Sequence, residues 1–157
     1  MLALLGKLFL GVLFLDTKKI GNLTELQCMT YLYELGYAIS IPFGNSEKYD
    51  FIIDVNDVLY KIQCKHSSEY KDEQGNIKYI KFKSTWQSHN AKGYSRQKYQ
   101  LNEIDFFATF YQNRCYLIPA KECSYEKRLR LETTKNNQLK GISYLSNYLA
   151  EKTLSQL

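Results

Sequence analysis

Between Tyr49 and His66 the chain alternates apolar and polar residues on both sides of an Asn56-Asp57 pair, the pattern of a hairpin with one buried face. In the first arm Phe51, Ile53 and Val55 share a face opposite Asp50, Ile52 and Asp54. In the second arm, Val58 to His66, the residues Tyr60, Ile62, Cys64 and His66 oppose Leu59, Lys61, Gln63 and Lys65. Upstream, residues 22–35 follow helical spacing and stop at Gly36, where a helix end favours a residue free to turn left-handed. Ala38 to Pro42 reads as a short strand and Gly44-Asn45-Ser46 as a turn. After a polar loop through Gly75-Asn76, Ile77 to Trp86 alternates as another strand, with Lys78, Ile80 and Phe82 on one face and Tyr79, Lys81 and Lys83 on the other. Residues 87–100, polar and basic, fit a loop or short helix. Ile104 to Tyr111 and Cys115 to Ala120 are near-continuous apolar runs around Gln112-Asn113-Arg114, which predicts strands buried on both faces in a sheet covered by helices. Leu139, Ile142, Leu145 and Leu149 predict a final helix over residues 136–157.

The length of 157 residues and the 45% hydrophobic content suit one globular domain with its own core, and exclude disorder, collagen and a disulfide miniprotein. Cys28, Cys64, Cys115 and Cys123 are widely separated, without a C-x-x-C pair or histidines at zinc spacing, so free and mostly buried thiols are expected. Residues 1–15 are apolar except for Lys7, too short a run to span a bilayer and without an A-x-A-like cleavage site. They are set aside as an N-terminal extension, leaving 16–157 as a single domain with no membrane partner and a cytoplasmic, nucleoid-associated location.

The net charge of +5 is unevenly spread. Nine bases and three acids lie between Lys61 and Lys98, so that this stretch carries +6 and the rest of the chain −1. Lys78, Lys81, Lys83, Lys92, Arg96 and Lys98 are interleaved there with Tyr79, Phe82, Trp86, Tyr94 and Tyr99. Phosphate contacts combined with stacking surfaces produce this composition, and so does a solvated strand face. Glu25 poses a sharper question. It shares a helix face with Cys28, Met29 and Leu32, and a carboxylate there either hangs at the rim or faces a cation, because burying it unpaired is costly.

A helix with an inward Glu25, a strand carrying Asp50, and thirteen residues later a strand with Gln63-Cys64-Lys65, followed by further strands and a helix, resembles the PD-(D/E)-x-K nucleases. Within them it resembles the homing endonucleases encoded in group I introns of cyanobacterial tRNA genes, which also carry Gln where an acid usually precedes x-Lys. The segments Glu103 to Phe107 and Tyr116 to Pro119 look like the strands that follow the catalytic ones. The resemblance implies an α/β fold with a restriction-endonuclease-like core, a mixed central sheet flanked by helices.

It also implies a site-specific double-strand DNA endonuclease that uses Mg²⁺ or Mn²⁺ and acts on a long pseudo-palindromic target as a homodimer or homotetramer. Glu25, Asp50, Gln63 and Lys65 are then the catalytic residues. The metal ligands are Asp50, the backbone carbonyl of Cys64, and Glu25, the last restoring the charge that Gln63 lacks. Lys65 would orient the attacking water and stabilise charge on the phosphate. DNA contacts are expected from Lys78, Lys81, Lys83, Trp86, Lys92, Arg96 and Lys98. A Holliday-junction resolvase and an inactive DNA-binding protein are the alternatives.

Overall fold

The structure is a computed structural model that describes residues 16–44, 46–90, 93–131 and 141–157; the apolar extension, Asn45, Lys92 and the first part of the expected final helix lie outside these. Its centre is a mixed five-stranded sheet ordered β1-β2-β3-β8-β9, from Ile39–Ser40, Phe51–Val55, Val58–Cys64, Phe106–Tyr111 and Arg114–Pro119. Only β3 and β8 run parallel, with Ile62 opposite Phe106 and Cys64 opposite Ala108. Both tight hairpins turn on two residues of positive φ, Asn56-Asp57 and Gln112-Asn113, whose twist matches that of the strands they join.

The apolar runs of β8 and β9 are buried on both faces, as expected. One face carries Phe106, Ala108, Cys115 and Leu117, and with Phe51, Ile53, Ile62 and Cys64 it packs against Cys28 and Leu32 of helix α1 (Thr17–Glu34) and Ala150 and Leu154 of helix α2 (Ala150–Leu154). The opposite face carries Phe107, Tyr116 and Ile118 and is covered by Ile80, Phe82 and Leu129. These belong to a second sheet, β10-β5-β4, from Glu126–Arg130, Ile77–Lys83 and Ser68–Lys71, so a β-layer stands where the apolar runs alone suggested helices. All four cysteines are free, three of them buried.

Residues 87–90 and 93–98 are strand, where a loop or short helix is the expectation from composition. Thr85–Asn90 (β6) and Gly93–Lys98 (β7) form a two-stranded antiparallel ribbon that pairs with neither larger sheet, and the strand expected over 77–86 is divided between β5 and β6. A ribbon without a buried face has no reason to alternate apolar and polar residues, which is why its sequence reads as loop. The expected final helix is also shorter: in the described part, a 3₁₀ turn at Leu145–Tyr148 precedes α2. At the N-terminal end α1 starts five residues before the expected position, with Asp16 accepting from the Lys19 N–H at 2.8 Å as its cap.

Candidate active site

Two strand ends meet at the site. Asp50 immediately precedes β2, its N–H donating to Ile62 O at 2.8 Å, while Lys65 immediately follows β3, its N–H donating to Ala108 O at 2.8 Å. The sheet register therefore sets both residues before any side chain acts. One carboxylate oxygen of Asp50, Oδ2, accepts from the Cys64 N–H at 2.6 Å and from Gln63 Nε2 at 2.7 Å. The same Gln63 nitrogen donates to Cys64 O at 3.2 Å. The Cys64 thiol is buried in the core under α1, so this residue presents only its backbone to the site. Lys65 Nζ donates to Tyr99 Oη at 2.9 Å.

Glu25 is half-buried on α1 and lines a small cleft with Asp50, Glu47 and Tyr49. Burial raises its pKa, and the Asp50 charge raises it further. Thr24, one residue earlier, is buried, donates to Ile20 O at 3.0 Å and lies 3.2 Å from His66 Nδ1, which ties the helix to the end of β3. Burial pushes Asp50 above the usual carboxylate range against the opposing pull of the Cys64 N–H, Lys65 and Gln63. It also pushes the Lys65 ammonium down, with Asp50 opposing. Burial thus disfavours charge on all three of these groups.

The four sequence-predicted catalytic residues are therefore brought together. The donor set fits a hard divalent cation: two carboxylates of raised pKa and one backbone carbonyl, all oxygen. Among the described residues no three His, Cys, Asp or Glu side chains cluster as metal ligands.

Beyond Lys65 opens a groove of about 600 Å³ lined in part by His66, Lys81, Lys83, Trp86, Gln87 and Arg96. Four of the expected DNA-contacting residues share it, but the remaining ones do not. Lys78 points to the far end of β5 and pairs with Asp72 at 2.9 Å, holding that carboxyl down at about 2. Lys98 lies 4.3 Å from the Tyr125 ring centroid, and Lys92 is outside the described residues. Within the groove Lys81 is partly neutralised by Glu126 at 3.6 Å, whereas among the described residues no ion pair holds Lys83. One face of Trp86 is already occupied. Lys48 Nζ sits 3.1 Å from its ring centroid, a cation that the charge pattern missed because it lies outside the basic segment. Nothing in the sequence sets Tyr99 apart from the other aromatics of that segment, since a contact across 34 residues leaves no local signal.

A profile of the PD-(D/E)XK endonuclease family matches residues 15–151. The chain belongs to the PD-(D/E)XK endonuclease family. Membership makes it a nuclease with DNA as its substrate class, and nucleases of this family generally use divalent metal ions. Among solved structures the chain is similar to that of a bacterial homing endonuclease, I-Ssp6803I, with a TM-score of 0.69 and 22% identity over 89% of this chain and 93% of that one. No curated protein matches in a sequence search. Among the described residues no helix is long and apolar enough to cross a membrane.

Proposed function

We propose that residues 16–157 form one nuclease domain that cuts double-stranded DNA at a long, specific, pseudo-palindromic site, as an Mg²⁺-dependent homing endonuclease. The observation that carries this reading is the junction of Asp50, Gln63, Cys64 O and Lys65 at two paired strand ends, with Glu25 facing it and a basic groove leading away. Asp50, Glu25 and Cys64 O would hold the cation, which when bound supplies Lewis acidity at the phosphoryl oxygen and a water of lowered pKa. Lys65 orients the attacking water and stabilises charge on the phosphate. One such site cuts one strand, so a double-strand break needs an even number of copies, a dimer or tetramer. The test uses tRNA-gene DNA and a randomised plasmid library, each incubated with Mg²⁺ or EDTA. Discrete Mg²⁺-dependent fragments from a linear target are expected; preferential cutting of four-way junctions would point to a resolvase, and binding without cutting to an inactive regulator.

Two further outcomes test the parts of this reading. Lys83→Ala should weaken binding to all DNA sequences alike and flatten the dependence of log K on log[salt] by about 0.9. Lys81→Ala should do less, because Glu126 already engages that ammonium. An unchanged salt slope for Lys83→Ala would remove the groove from the DNA path.

Gln63→Glu replaces an amide that donates to Asp50 with a carboxylate that cannot. The melting temperature should fall in EDTA and recover in Mg²⁺, while the Mg²⁺ needed for half-maximal cutting drops by about tenfold, worth about 1.4 kcal/mol. An unchanged Mg²⁺ requirement would separate Gln63 from the ion.

A further inference from the structure

We propose that Tyr99 is a positioning residue for the nuclease reaction, holding the Lys65 ammonium in place through a hydrogen bond from Nζ to the phenolic oxygen. The inference deepens the endonuclease reading and rests on it.

Lysine carries its charge on a flexible four-carbon stem with three donors and no acceptor, so an ammonium that must address a water and a phosphate needs something else to fix it. Here Tyr99 Oη accepts from Nζ at 2.9 Å, while the ammonium also lies 5.1 Å from the centroid of the same ring. The ring in turn is anchored, standing edge-on to Phe107 with centroids 5.4 Å apart and planes at 84°. Phe107 is only 2% exposed and belongs to β8, the strand paired in parallel with β3, which carries Lys65 at its end. The tether thus closes a loop: Lys65 to Tyr99, Tyr99 to Phe107, and Phe107 back through the sheet to Lys65. One ammonium proton is spent on Tyr99, and two remain for the reacting groups. Burial, aided by the Asp50 and Glu103 charges, pushes the phenol far above its usual range, so it remains neutral and acts as a hydrogen-bond partner rather than a base.

Position along the chain adds a second consequence. Tyr99 directly follows Lys98, the last residue of the β6–β7 ribbon, and that ribbon contributes Thr85, Trp86, Gln87 and Arg96 to the groove. Tyr99 thus stands where the groove-lining ribbon meets the strand ends of the site.

Tyr99→Phe isolates the tether, because it keeps the ring and its packing on Phe107 and removes only the oxygen. Single-turnover cutting at saturating DNA should slow by about ten- to a hundredfold, with the Kd for DNA within about twofold of wild type. In a Lys65→Ala background the same substitution should cause no further loss, an outcome that a merely structural role for Tyr99 would not give. Wild-type cutting by Tyr99→Phe, or an equal slowing on top of Lys65→Ala, would overturn the proposal. Failure of the endonuclease reading appears differently, as a wild-type protein that cuts no DNA. In that event the mobility of the Lys65 Cε group by ¹³C NMR decides the tether: increased motion in Tyr99→Phe supports it, and unchanged motion overturns it.

Discussion

Asp50→Asn is expected to abolish DNA cutting, by about 10³-fold or more in single-turnover rate, while DNA affinity measured in EDTA stays within about twofold. The substitution is nearly isosteric, and an amide oxygen can still accept from the Cys64 N–H and from Gln63, so the hydrogen bonds at 2.6 and 2.7 Å need not be lost. What disappears is the negative charge, and with it the strongest attraction for a divalent cation at the site.

The same substitution has an opposite effect on stability, which makes the prediction unusually specific. Burial raises the Asp50 pKa above its ordinary value, so the folded protein binds that proton more tightly than the unfolded chain does. Asp50 therefore contributes stability below the ordinary carboxylate pKa, and this is lost as pH rises through the raised folded value. At neutral pH without metal the charged, half-buried side chain is a cost. Asp50→Asn removes it, so in EDTA the variant should melt higher than wild type, by roughly 2–4 °C for each kcal/mol relieved, and should lose the part of the pH dependence that Asp50 carries. Mg²⁺ should raise the melting temperature of wild type and leave that of the variant unmoved. Retained cutting, or equal stabilisation of both proteins by Mg²⁺, would remove Asp50 from the ion.

That this residue can be read from the sequence at all follows from where it sits. The β2–β3 hairpin buries one face, so strict alternation from Phe51 to Val55 and from Tyr60 to Cys64 fixes its two faces, and a two-residue turn fixes its register. Once the register is known, Asp50, Gln63 and Lys65 must meet. Glu25 is legible for a related reason: a charged residue on the inward face of α1 calls for a partner. The double burial of β8 and β9 is likewise written in their unbroken apolar runs.

Where no face is buried the same reasoning fails. In β6 and β7 the ribbon leaves both sides open, and the sequence reads as loop. Strand β10 hides behind its charges: its buried positions are Lys127 and Leu129, and Lys127 is accommodated because Nζ donates to Glu122 O at 3.2 Å and pairs with the Glu122 carboxylate at 3.6 Å beside Tyr148. The electrostatic footprint is legible in total but not in use. A count of lysines does not reveal that Asp72 engages Lys78, that Glu126 engages Lys81, or that Lys48 joins Trp86 from another part of the chain. Those pairings arise from tertiary placement, and they reduce the expected cationic surface to a narrower groove beside the strand ends.

Lys65→Ala should lower the single-turnover cutting rate by about 10²–10³-fold, with Mg²⁺ dependence and DNA affinity largely kept. The size of the effect follows from the environment. An ammonium in bulk water adds little to a phosphate, but Lys65 is half-buried at the inner end of the groove, where a lower dielectric strengthens its interaction with developing negative charge. Burial lowers its pKa while the Asp50 charge supports the protonated form. Lys65→Arg should not restore the rate: a planar guanidinium cannot reproduce a compact ammonium held 2.9 Å from Tyr99 Oη. In EDTA, Lys65→Ala should melt no higher than wild type, in contrast with Asp50→Asn, because it leaves the half-buried Asp50 carboxylate without the positive charge of Lys65. Cutting at the wild-type rate by Lys65→Ala would exclude the water-orienting role, and a loss of rate that tracks a loss of DNA binding would assign Lys65 to the groove instead of the chemistry.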